Sequence, residues 1–544
     1  MNKRLANVKT RTQTGLDYVT NSLEIGTPYG KKALKASKPF FPGQENELRE
    51  ELNKIAQIVE FAEKCKSVVE RIQLDIFMSM NDDSGTITRS CETTLSIVEL
   101  FAMKTLLLYM ENLKNTCENA DVEIPKDYIV SDITNLLDIL DPRHDRLNTF
   151  YLYEEFSEKL AELRTKKRAL EVQLRKEQKV IKERVKDQYG IFMTPKFEYV
   201  VSKHDEKEIA RLGTIEELQV CDQDYMSITY TLTKTETTYK IKKEIEDINH
   251  LLEEEEFVVR TRLSKEVSKH KDVLLRNCEI IGAFDLAIAK ATYALAHNCV
   301  KPDIVDEHIV YIEEGRHLQV EDVLRAKKKT YVPISVSLEQ GVTCITGANM
   351  GGKTISLKLM GMVAILAQYG YFVPCKSCKV GLSNYMQILI GDSQSVERGL
   401  SSFGSEMEEL KEILDHGKDR SIILIDEIAS GTNPVEGLAL TRSLIDYLKQ
   451  RPYISLITTH FEAVSASGVK NMQVIGLADA NFEQLDIAIR YANRKKRIEI
   501  ISEQMDYRLR EIKGGAEIPK DALNIAKMLG IGNEIIDNAK KYLY

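Results

Sequence analysis

The chain has 544 residues, of which 43% are hydrophobic and 29% charged, so more than one domain with a sizeable core is expected. Acidic residues outnumber basic ones, 83 to 75, which excludes an overall basic field and makes any nucleic-acid contact a local one. No apolar run is long enough to cross a membrane, no apolar segment follows the first residues, and the nine cysteines are scattered and odd in number, so a cytoplasmic protein without a membrane partner is predicted.

The N-terminal part of the chain has the pattern of a helical domain. Apolar residues recur at helical spacing from about Thr10 to Glu154, most clearly over Leu48–Cys65 and Thr93–Leu113. The composition of Asn81–Gly85 is typical of a turn. Residues 1–154 are therefore predicted to be helical.

Two long charged helices are predicted next, over about Glu154–Val185 and Ile241–Leu275. Their apolar residues fall at coiled-coil spacing: Leu160, Leu163, Leu170 and Leu174 in the first, and Ile241, Ile245, Ile248, Leu252, Val259 and Leu263 in the second. Between them, the Val-, Thr- and Tyr-rich stretch Tyr189–Tyr239 predicts strands. These patterns indicate an antiparallel arm with a small β-containing tip, followed by a returning helix that ends near Ala296.

The first arm helix carries a basic stripe. Its members are Arg164, Lys166, Lys167, Arg168, Arg175, Lys176, Lys179, Lys182, Arg184 and Lys186. Such a stripe can neutralise phosphates, although charge runs on helices are usually solvated surface. The second helix is acidic at Glu253–Glu256, so the two helices can also pair with each other. Both interpretations stay open at this point.

A glycine-rich motif matches the phosphate-binding loop pattern G-x-x-x-x-G-K-[ST]. Its residues are Gly347, Ala348, Asn349, Met350, Gly351, Gly352, Lys353 and Thr354. An apolar run before it, Val342–Thr346, and a helix-periodic run after it supply the strand and helix that the motif needs. Backbone N–H groups of such a loop bind phosphate oxygens. We expect Lys353 to reach the β and γ phosphates and Thr354 to hold Mg²⁺, which makes ATP and Mg²⁺ the predicted cofactors.

Two later strands end in polar side chains. The apolar run Ser421–Asp426 precedes Glu427, a Walker B pattern in which Asp426 holds Mg²⁺ and Glu427 orients or deprotonates the attacking water. A third run, Tyr453–Thr459, is followed by His460. A lone histidine is usually only packed or solvated. Ligands of open α/β sheets sit at strand ends, however, so His460 is predicted to contact the γ-phosphate or the water.

These motifs, taken in order, resemble the ATPase of the MutS family, the DNA mismatch-repair and recombination group related to the ABC ATPases. The resemblance is carried by the phosphate loop and by SSFGSEM, LIDEIASGTNPVEG and TTHF, which start at Ser401, Leu424 and Thr458. The Asn-Met pair inside the loop and Gly315-Arg316-His317 upstream are also similar to the family's.

Two segments point to one branch of this family. The run Gly431–Gly437 and the run Ile390–Ser395 are more similar to the second bacterial branch than to the mismatch-binding one. Members of that branch act on recombination intermediates or stalled ribosomes rather than on mismatches. The expected form is a short one, in which no mismatch-recognition, connector or Smr domain is recognisable.

The resemblance implies a multidomain fold with an α-helical lever, a coiled-coil clamp arm and an α/β P-loop, ABC-like ATPase domain. The lever would cover 1–154, the clamp arm 155–275 with its tip at about 189–239, and the returning lever helix 276–305. The ATPase domain would cover 306–544 and end in a helix–turn–helix dimerisation tail. In a homodimer, each ATP site would be completed by Ser401, Ser402 and Phe403 of the partner subunit.

The implied function is that of an ATPase whose arms clamp branched or recombining DNA as ATP is bound and hydrolysed. The alternative is a mechanical ATPase with a protein client, the role assigned to MutS-like chains found beside bacterial cobalamin-dependent aminomutases. A third interpretation, an inactive dimerisation scaffold, is disfavoured because Lys353, Asp426, Glu427 and His460 are all present.

Overall fold

The computed structural model describes residues 4–347, 352–391, 402–429, 432–460, 469–477, 505–512 and 521–542, and the single positions 485, 489, 497 and 500. In these residues the helices are α1 Val8–Gln13, α2 Leu16–Asn21, α3 Pro28–Ala36, α4 Glu45–Lys64, α5 Lys66–Arg71, α6 Ser84–Arg89, α7 Ile97–Glu118, α8 Thr134–Leu140, α9 Glu158–Tyr189, α10 Glu206–Leu212, α11 Glu236–Lys269, α12 Lys271–Ala296, α13 Leu318–Ala326, α14 Lys353–Gln368, α15 Ser402–His416, α16 Pro434–Lys449, α17 Asp521–Met528 and α18 Asn533–Lys541. The strands are β1 Glu198–Ser202, β2 Leu218–Gln223, β3 Ser227–Leu232, β4 Asp303–Val305, β5 Val310–Gly315, β6 Ile334–Leu338, β7 Gly341–Thr346, β8 Ser377–Gly381, β9 Tyr385–Ile390, β10 Ser421–Asp426, β11 Ile454–Thr458, β12 Lys470–Gly476 and β13 Asp506–Glu511.

The chain divides into two compact units. The first combines Met1–Ser79, Thr116–Ile129 and Glu279–Tyr544, and the second combines Met80–Asn115 and Val130–Cys278. These limits differ from the boundaries predicted after residues 154, 275 and 305, and the predicted domain assignment stays a prediction. Within the described ranges, no helix is both long enough and apolar enough to cross a lipid bilayer.

The second unit contains the two long helices predicted from the sequence. α9 and α11 pack side by side, and the first turn of α9 meets the second half of α11. There, the hydroxyl of Ser157 donates to Oε1 of Glu255 at 2.7 Å, and Arg164 pairs with Glu256 at 3.0 Å. Between the helices in sequence lies an antiparallel sheet in the order β1-β3-β2, so the predicted strands are present.

The first unit is built on a six-stranded sheet in the order β13-β12-β7-β11-β10-β9. All its pairings are parallel except that of β12 with β13. Every residue of β10 and β11 is buried, which is the pattern of strands covered on both faces. Side chains of β10 alternate between two apolar clusters, with Leu424 packed on the α14 side and Ile423 and Ile425 on the side of α15 and α16. A second sheet of the unit has the order β4-β8-β5-β6.

The N-terminal segment is part of the first unit. The carbonyl of Leu5 accepts the N–H of Met386 at 2.7 Å, and the hydroxyl of Thr10 accepts the N–H of Ile388 at 3.3 Å. These bonds cover the free edge of β9, which would otherwise expose unpaired backbone groups. Thr14 then packs against Gly361 in the middle of α14, so the segment joins the sheet edge to the helix that follows the phosphate loop.

The contact between Thr14 and Gly361 generates the first prediction. A Cβ at position 361 would lie 2.6 Å from Cγ2 of Thr14 and 3.1 Å from Leu424, and Thr14 is held by its hydrogen bond to the carbonyl of Thr10 at 2.7 Å. Gly361→Ala should therefore lower the free energy of unfolding by about 1–3 kcal/mol, although alanine favours helices. The midpoint of urea unfolding measures this loss.

Gly85 provides the matched control, since a Cβ there meets no atom within 4 Å. Gly85→Ala should leave the midpoint within about 0.5 kcal/mol of wild type. Equal stability of the two variants would contradict the close packing of the N-terminal segment on α14.

Candidate functional site

Three parallel strands end at the same edge of the six-stranded sheet. β11 lies between β7 and β10, with Thr458 beside Ile345 on one side and beside Asp426 on the other. The loops that follow these strands begin at Gly347, at Glu427 and after Thr458, so all three leave from neighbouring positions. This alignment brings together the motifs that the sequence separates by more than 100 positions.

Glycines shape both described ends of the phosphate loop. Gly347 has φ 136° and Gly352 has φ 78°, backbone conformations that residues with a Cβ rarely adopt. Gly352 is also the N-cap of α14, and a Cβ there would lie 3.0 Å from the ring of Tyr507. Ala348, Asn349, Met350 and Gly351 lie outside the described residues. The N-terminus of the 16-residue helix α14 faces this loop and adds partial positive charge.

Lys353 is the centre of a buried charge cluster. Its ammonium group donates to the carbonyl of Gly347 at 2.9 Å and lies 3.2 Å from Oε1 of Glu427. Both ring nitrogens of His460 are 3.1 Å from the same Nζ atom, and His460 Nε2 is 2.7 Å from Glu427 Oε1. The side chain of Lys353 is only 3% exposed, against 32% for Glu427 and 38% for His460. Three predicted site residues therefore meet in direct contact.

Charge and burial act against each other in this cluster. The hydrogen bond with His460 lowers the pKa of Glu427 to about 2, with burial opposing the shift and the charge of Lys353 assisting it. Burial lowers the pKa of Lys353, and the Glu427 carboxylate only partly offsets that effect. Both pKa values fall, which favours the charged form of Glu427 but disfavours the charged form of Lys353, because Lys353 is almost enclosed whereas Glu427 keeps access to water. Glu427 is thus held as a carboxylate. In this form it can orient a water molecule or accept a proton from it.

Asp426 and Thr354 form an oxygen pair beside this cluster. The hydroxyl of Thr354 donates to Oδ2 of Asp426 at 2.7 Å, and the hydroxyl of Thr458 donates to Oδ1. Magnesium in nucleotide sites takes one or two oxygens from the protein and the rest from phosphates and water. The hydroxyl of Thr354 and the carboxylate of Asp426, 92% buried, fit that requirement.

Thr458 is a site residue whose role the sequence did not reveal. Besides its bond to Asp426, its hydroxyl and its carbonyl both accept the backbone N–H of Glu427, each at 3.1 Å. One threonine thus fixes the carboxylate predicted to bind metal and the backbone of the residue predicted to act on water. Thr458 begins the TTHF motif at the end of a predicted strand, which is a signal in the sequence, but its partners Asp426 and Glu427 became apparent only from the strand register.

A cavity that is partly open to solvent lies next to the start of α14. Its volume is about 500 Å³, and its lining includes Val320, Leu324, Tyr331, Ile355 and Tyr507. The walls are mostly apolar and aromatic, and Gly352 at the end of the phosphate loop forms part of them. A pocket of this size and character beside a phosphate loop suits a planar, apolar-faced group such as a nucleobase.

The remaining predicted residues lie apart from the charge cluster. Ser401 is outside the described residues, and α15 begins at Ser402. Phe403 packs on the apolar cluster beneath α15 and α16. In the Gly315-Arg316-His317 motif, Arg316 donates to the carbonyls of His297 and Asn298 beyond the end of α12, and His317 is 99% buried in the core before α13. These two side chains support the fold rather than line the loop.

Comparison with known proteins agrees with this geometry. Residues 343–544 match the model of MutS domain V, the family's P-loop ATPase domain. Endonuclease MutS2 of Acetivibrio thermocellus is 28% identical over 466 residues. These matches support a member of the MutS family. The chain resembles the MutS2 branch, as the sequence motifs predicted.

Coverage differs among the MutS2 relatives. The Acetivibrio match takes in 82% of this chain and 54% of the relative. Endonuclease MutS2 of Clostridium botulinum is 33% identical over 294 residues, 52% of this chain and 33% of the relative. Endonuclease MutS2 of Fusobacterium nucleatum is 29% identical over 342 residues, which are 63% of this chain and 39% of the relative. The chain thus spans about half the length of the first of these relatives and less of the others.

The double role of Thr458 generates the second prediction. Thr458→Val keeps the shape of the side chain but removes the hydroxyl that bonds Asp426 and Glu427. Since small displacements of catalytic groups are costly, ATP turnover should fall by about 10- to 100-fold while ATP affinity stays within about threefold. Steady-state kinetics and a fluorescent-nucleotide titration measure the two quantities.

Thr458→Ser should restore most of the turnover because it keeps the hydroxyl. Thr441→Val is the matched control, since Thr441 is a fully buried threonine whose hydroxyl donates to the carbonyl of Gly437 within α16. If Thr458→Val and Thr441→Val turned over ATP equally well, the hydroxyl would have no positioning role.

Proposed function

We propose that this MutS family member is a dimeric ATPase whose clamp arm is driven by ATP binding and hydrolysis and acts on branched or recombining DNA. The observation that carries the ATPase part is the contact of Lys353, Glu427 and His460 beside the phosphate loop. The family's DNA-associated role supports the rest, because the members it resembles are MutS2 proteins.

In this proposal the loop from Gly347 to Thr354 binds the phosphates of ATP, and the nearby apolar cavity takes the base. The negative γ-phosphate competes with Glu427 for the ammonium group of Lys353, which now lies 3.2 Å from that carboxylate. When the ammonium group of Lys353 binds the phosphate instead of Glu427, the carboxylate of Glu427 is free to face the attacking water. Thr354 and Asp426 would hold Mg²⁺, whose charge offsets that of the phosphates.

Glu427 then orients the water or takes its proton, and His460 contacts the γ-phosphate or the same water. The lowered pKa of Glu427 keeps its carboxylate ionised at neutral pH. Such sites act mainly by positioning and by stabilising charge in the transition state. The enclosure of Lys353 strengthens its electrostatic effect on the phosphates.

A homodimer is part of the proposal. Ser401, Ser402 and Phe403 would reach the ATP bound to the partner subunit, as the family resemblance implies. The C-terminal helices α17 and α18 would pack at the dimer interface. Support comes from Ile531, Ile535 and Tyr542, which are 45%, 65% and 90% exposed in the single chain and would be covered there.

The arm formed by α9, β1–β3 and α11 is the proposed DNA-contacting part. Lys166, Arg175 and Lys176 on α9 are exposed and available to phosphates. Other members of the stripe are engaged, because Arg164 pairs with Glu256 and Arg168 with Glu154. This internal pairing is the observation that favours the second candidate, a mechanical ATPase with a protein client such as a cobalamin-dependent aminomutase.

The third prediction concerns the ATP site. Lys353→Ala should abolish nucleotide binding, because it removes the cation that faces the phosphates. Glu427→Gln should bind ATP but hydrolyse it at least about 100-fold more slowly, and it should accumulate as an ATP-bound dimer. Nucleotide titration, steady-state turnover and gel filtration with ATP measure these effects. Turnover of Glu427→Gln at the wild-type rate would remove Glu427 from its role.

The fourth prediction separates DNA from a protein client. If the arm binds phosphates, DNA affinity should fall with salt at a slope of about −0.9 per contact. Replacing Lys166, Lys167 and Arg168 together with Ala should flatten that slope by up to about 2.7, three such contacts, and weaken binding evenly across sequences. Binding to duplex, branched and single-stranded DNA is measured over a range of salt concentrations.

The control removes the same charge elsewhere. Lys31, Lys32 and Lys35 are exposed lysines of α3, in the other compact unit, and their replacement with Ala should leave the slope unchanged. ATP turnover should survive both triple substitutions. Equal slopes for the two variants would rule out contact through this part of the arm, and an ATPase indifferent to every nucleic acid would favour the protein client.

A further inference from the structure

The turn that carries Glu427 has an unusual backbone. Glu427 has φ 49° and Ala429 has φ 59°, so two residues with side chains adopt the left-handed region within three positions. This conformation costs free energy in residues other than glycine and persists only where the surroundings hold it. Contacts that fix the turn therefore decide where the carboxylate of Glu427 points.

Two side chains hold the turn from opposite ends. Thr458 accepts the N–H of Glu427 with its hydroxyl at 3.1 Å. At the other end, Oε2 of Glu406 accepts the N–H of Ala429, also at 3.1 Å. The side chains of Ile428 and Ala429 are 2% and 1% exposed, so the middle of the turn is packed in the core.

Glu406 lies in surroundings that disfavour its charge. It is half-buried, and burial raises its pKa, with the N–H of Ala429 acting in the opposite direction. In the described part of the chain, no basic side chain pairs with it. A carboxylate in such surroundings costs free energy, which its hydrogen bond to the Ala429 N–H partly offsets. α15 already packs on the turn through apolar residues, since Leu410 and Ile413 lie in the same cluster as Ile428 and Ala429. The hydrogen bond of Glu406 is therefore an addition to this apolar contact.

We propose that Glu406 is a positioning residue for Glu427, because its acceptance of the Ala429 N–H fixes the turn in which Glu427 faces Lys353 and His460. The inference rests on the proposed ATPase function and adds a residue to it. Glu406 lies four positions after Ser402, one helical turn along α15. A nucleotide of the partner subunit that contacts the start of α15 would thus act on Glu427 through Glu406.

The test compares variants of Glu406 in the full chain. Glu406→Ala removes the acceptor and should lower kcat by about 10- to 100-fold with KM for ATP within about threefold, since only the placement of Glu427 changes. Glu406→Gln keeps an oxygen that accepts the Ala429 N–H and should retain kcat within about threefold. Glu408→Ala is the control, because Glu408 is an exposed glutamate on the same helix and should leave both constants unchanged.

Fluorescent-nucleotide affinity and thermal melting accompany the kinetics. Should Glu406→Ala fail to fold, Glu406→Asp supplies the second test, because its carboxylate is one methylene too short and should reduce kcat in the same way. Loss of kcat in Glu406→Ala or Glu406→Asp, together with rescue by Gln, supports the inference. Turnover of both shortened variants at the rate of Glu408→Ala would overturn it, as would equal loss in Glu406→Gln. A wild-type chain without ATPase activity would refute the proposed function instead.

Discussion

The parallel alignment of β7, β11 and β10 determines the geometry of the site. Each strand is short and buried, and its carboxyl end leads directly into a loop with charged or polar residues. Register places Thr458 between Ile345 and Asp426, so a shift by one residue would turn Thr458 to the opposite face of the sheet. Contacts among Lys353, Glu427 and His460 thus depend on backbone pairing rather than on the charges themselves.

Burial strengthens the electrostatic interactions among these charged groups, and it also means that each buried charge needs hydrogen-bonding or oppositely charged partners. Lys353 is almost completely enclosed, and an ammonium group in that position requires a carbonyl and a carboxylate as partners. Glu427 provides the carboxylate only because its turn adopts left-handed backbone angles. Thr458 from β11 and Glu406 from α15 hold that turn, so the residue predicted to act on water depends on two neighbouring elements.

Much of this site could be predicted from the sequence because its signals are local. The phosphate loop, the carboxylates after β10 and the histidine after β11 each follow an apolar run, and the structure brings Lys353, Asp426, Glu427 and His460 to one edge. Thr458 and Glu406 lie inside two of the motifs that carry the resemblance, TTHF and SSFGSEM, but their roles escaped prediction because their hydrogen-bond partners are 32 and 23 positions away. The N-terminal segment on β9 escaped for the same reason, since Thr10 and Ile388 are 378 positions apart.

The far end of α14 shows how the phosphate loop is connected to the rest of its unit. Lys290 of α12 is buried, donates to the carbonyls of Tyr369 and Gly370 at 3.3 and 3.2 Å, and lies 4.3 Å from the ring centre of Tyr371. Burial lowers the pKa of this ammonium group to about 8, and the charge of Glu51 acts in the opposite direction. The two carbonyls lie just after the C-terminal end of α14, where the helix dipole also favours a positive charge. α14 therefore contacts Lys290 of α12 at its C-terminal end, while its N-terminal end faces the phosphate loop. Two separate segments of the chain thus fix the position of this 16-residue helix.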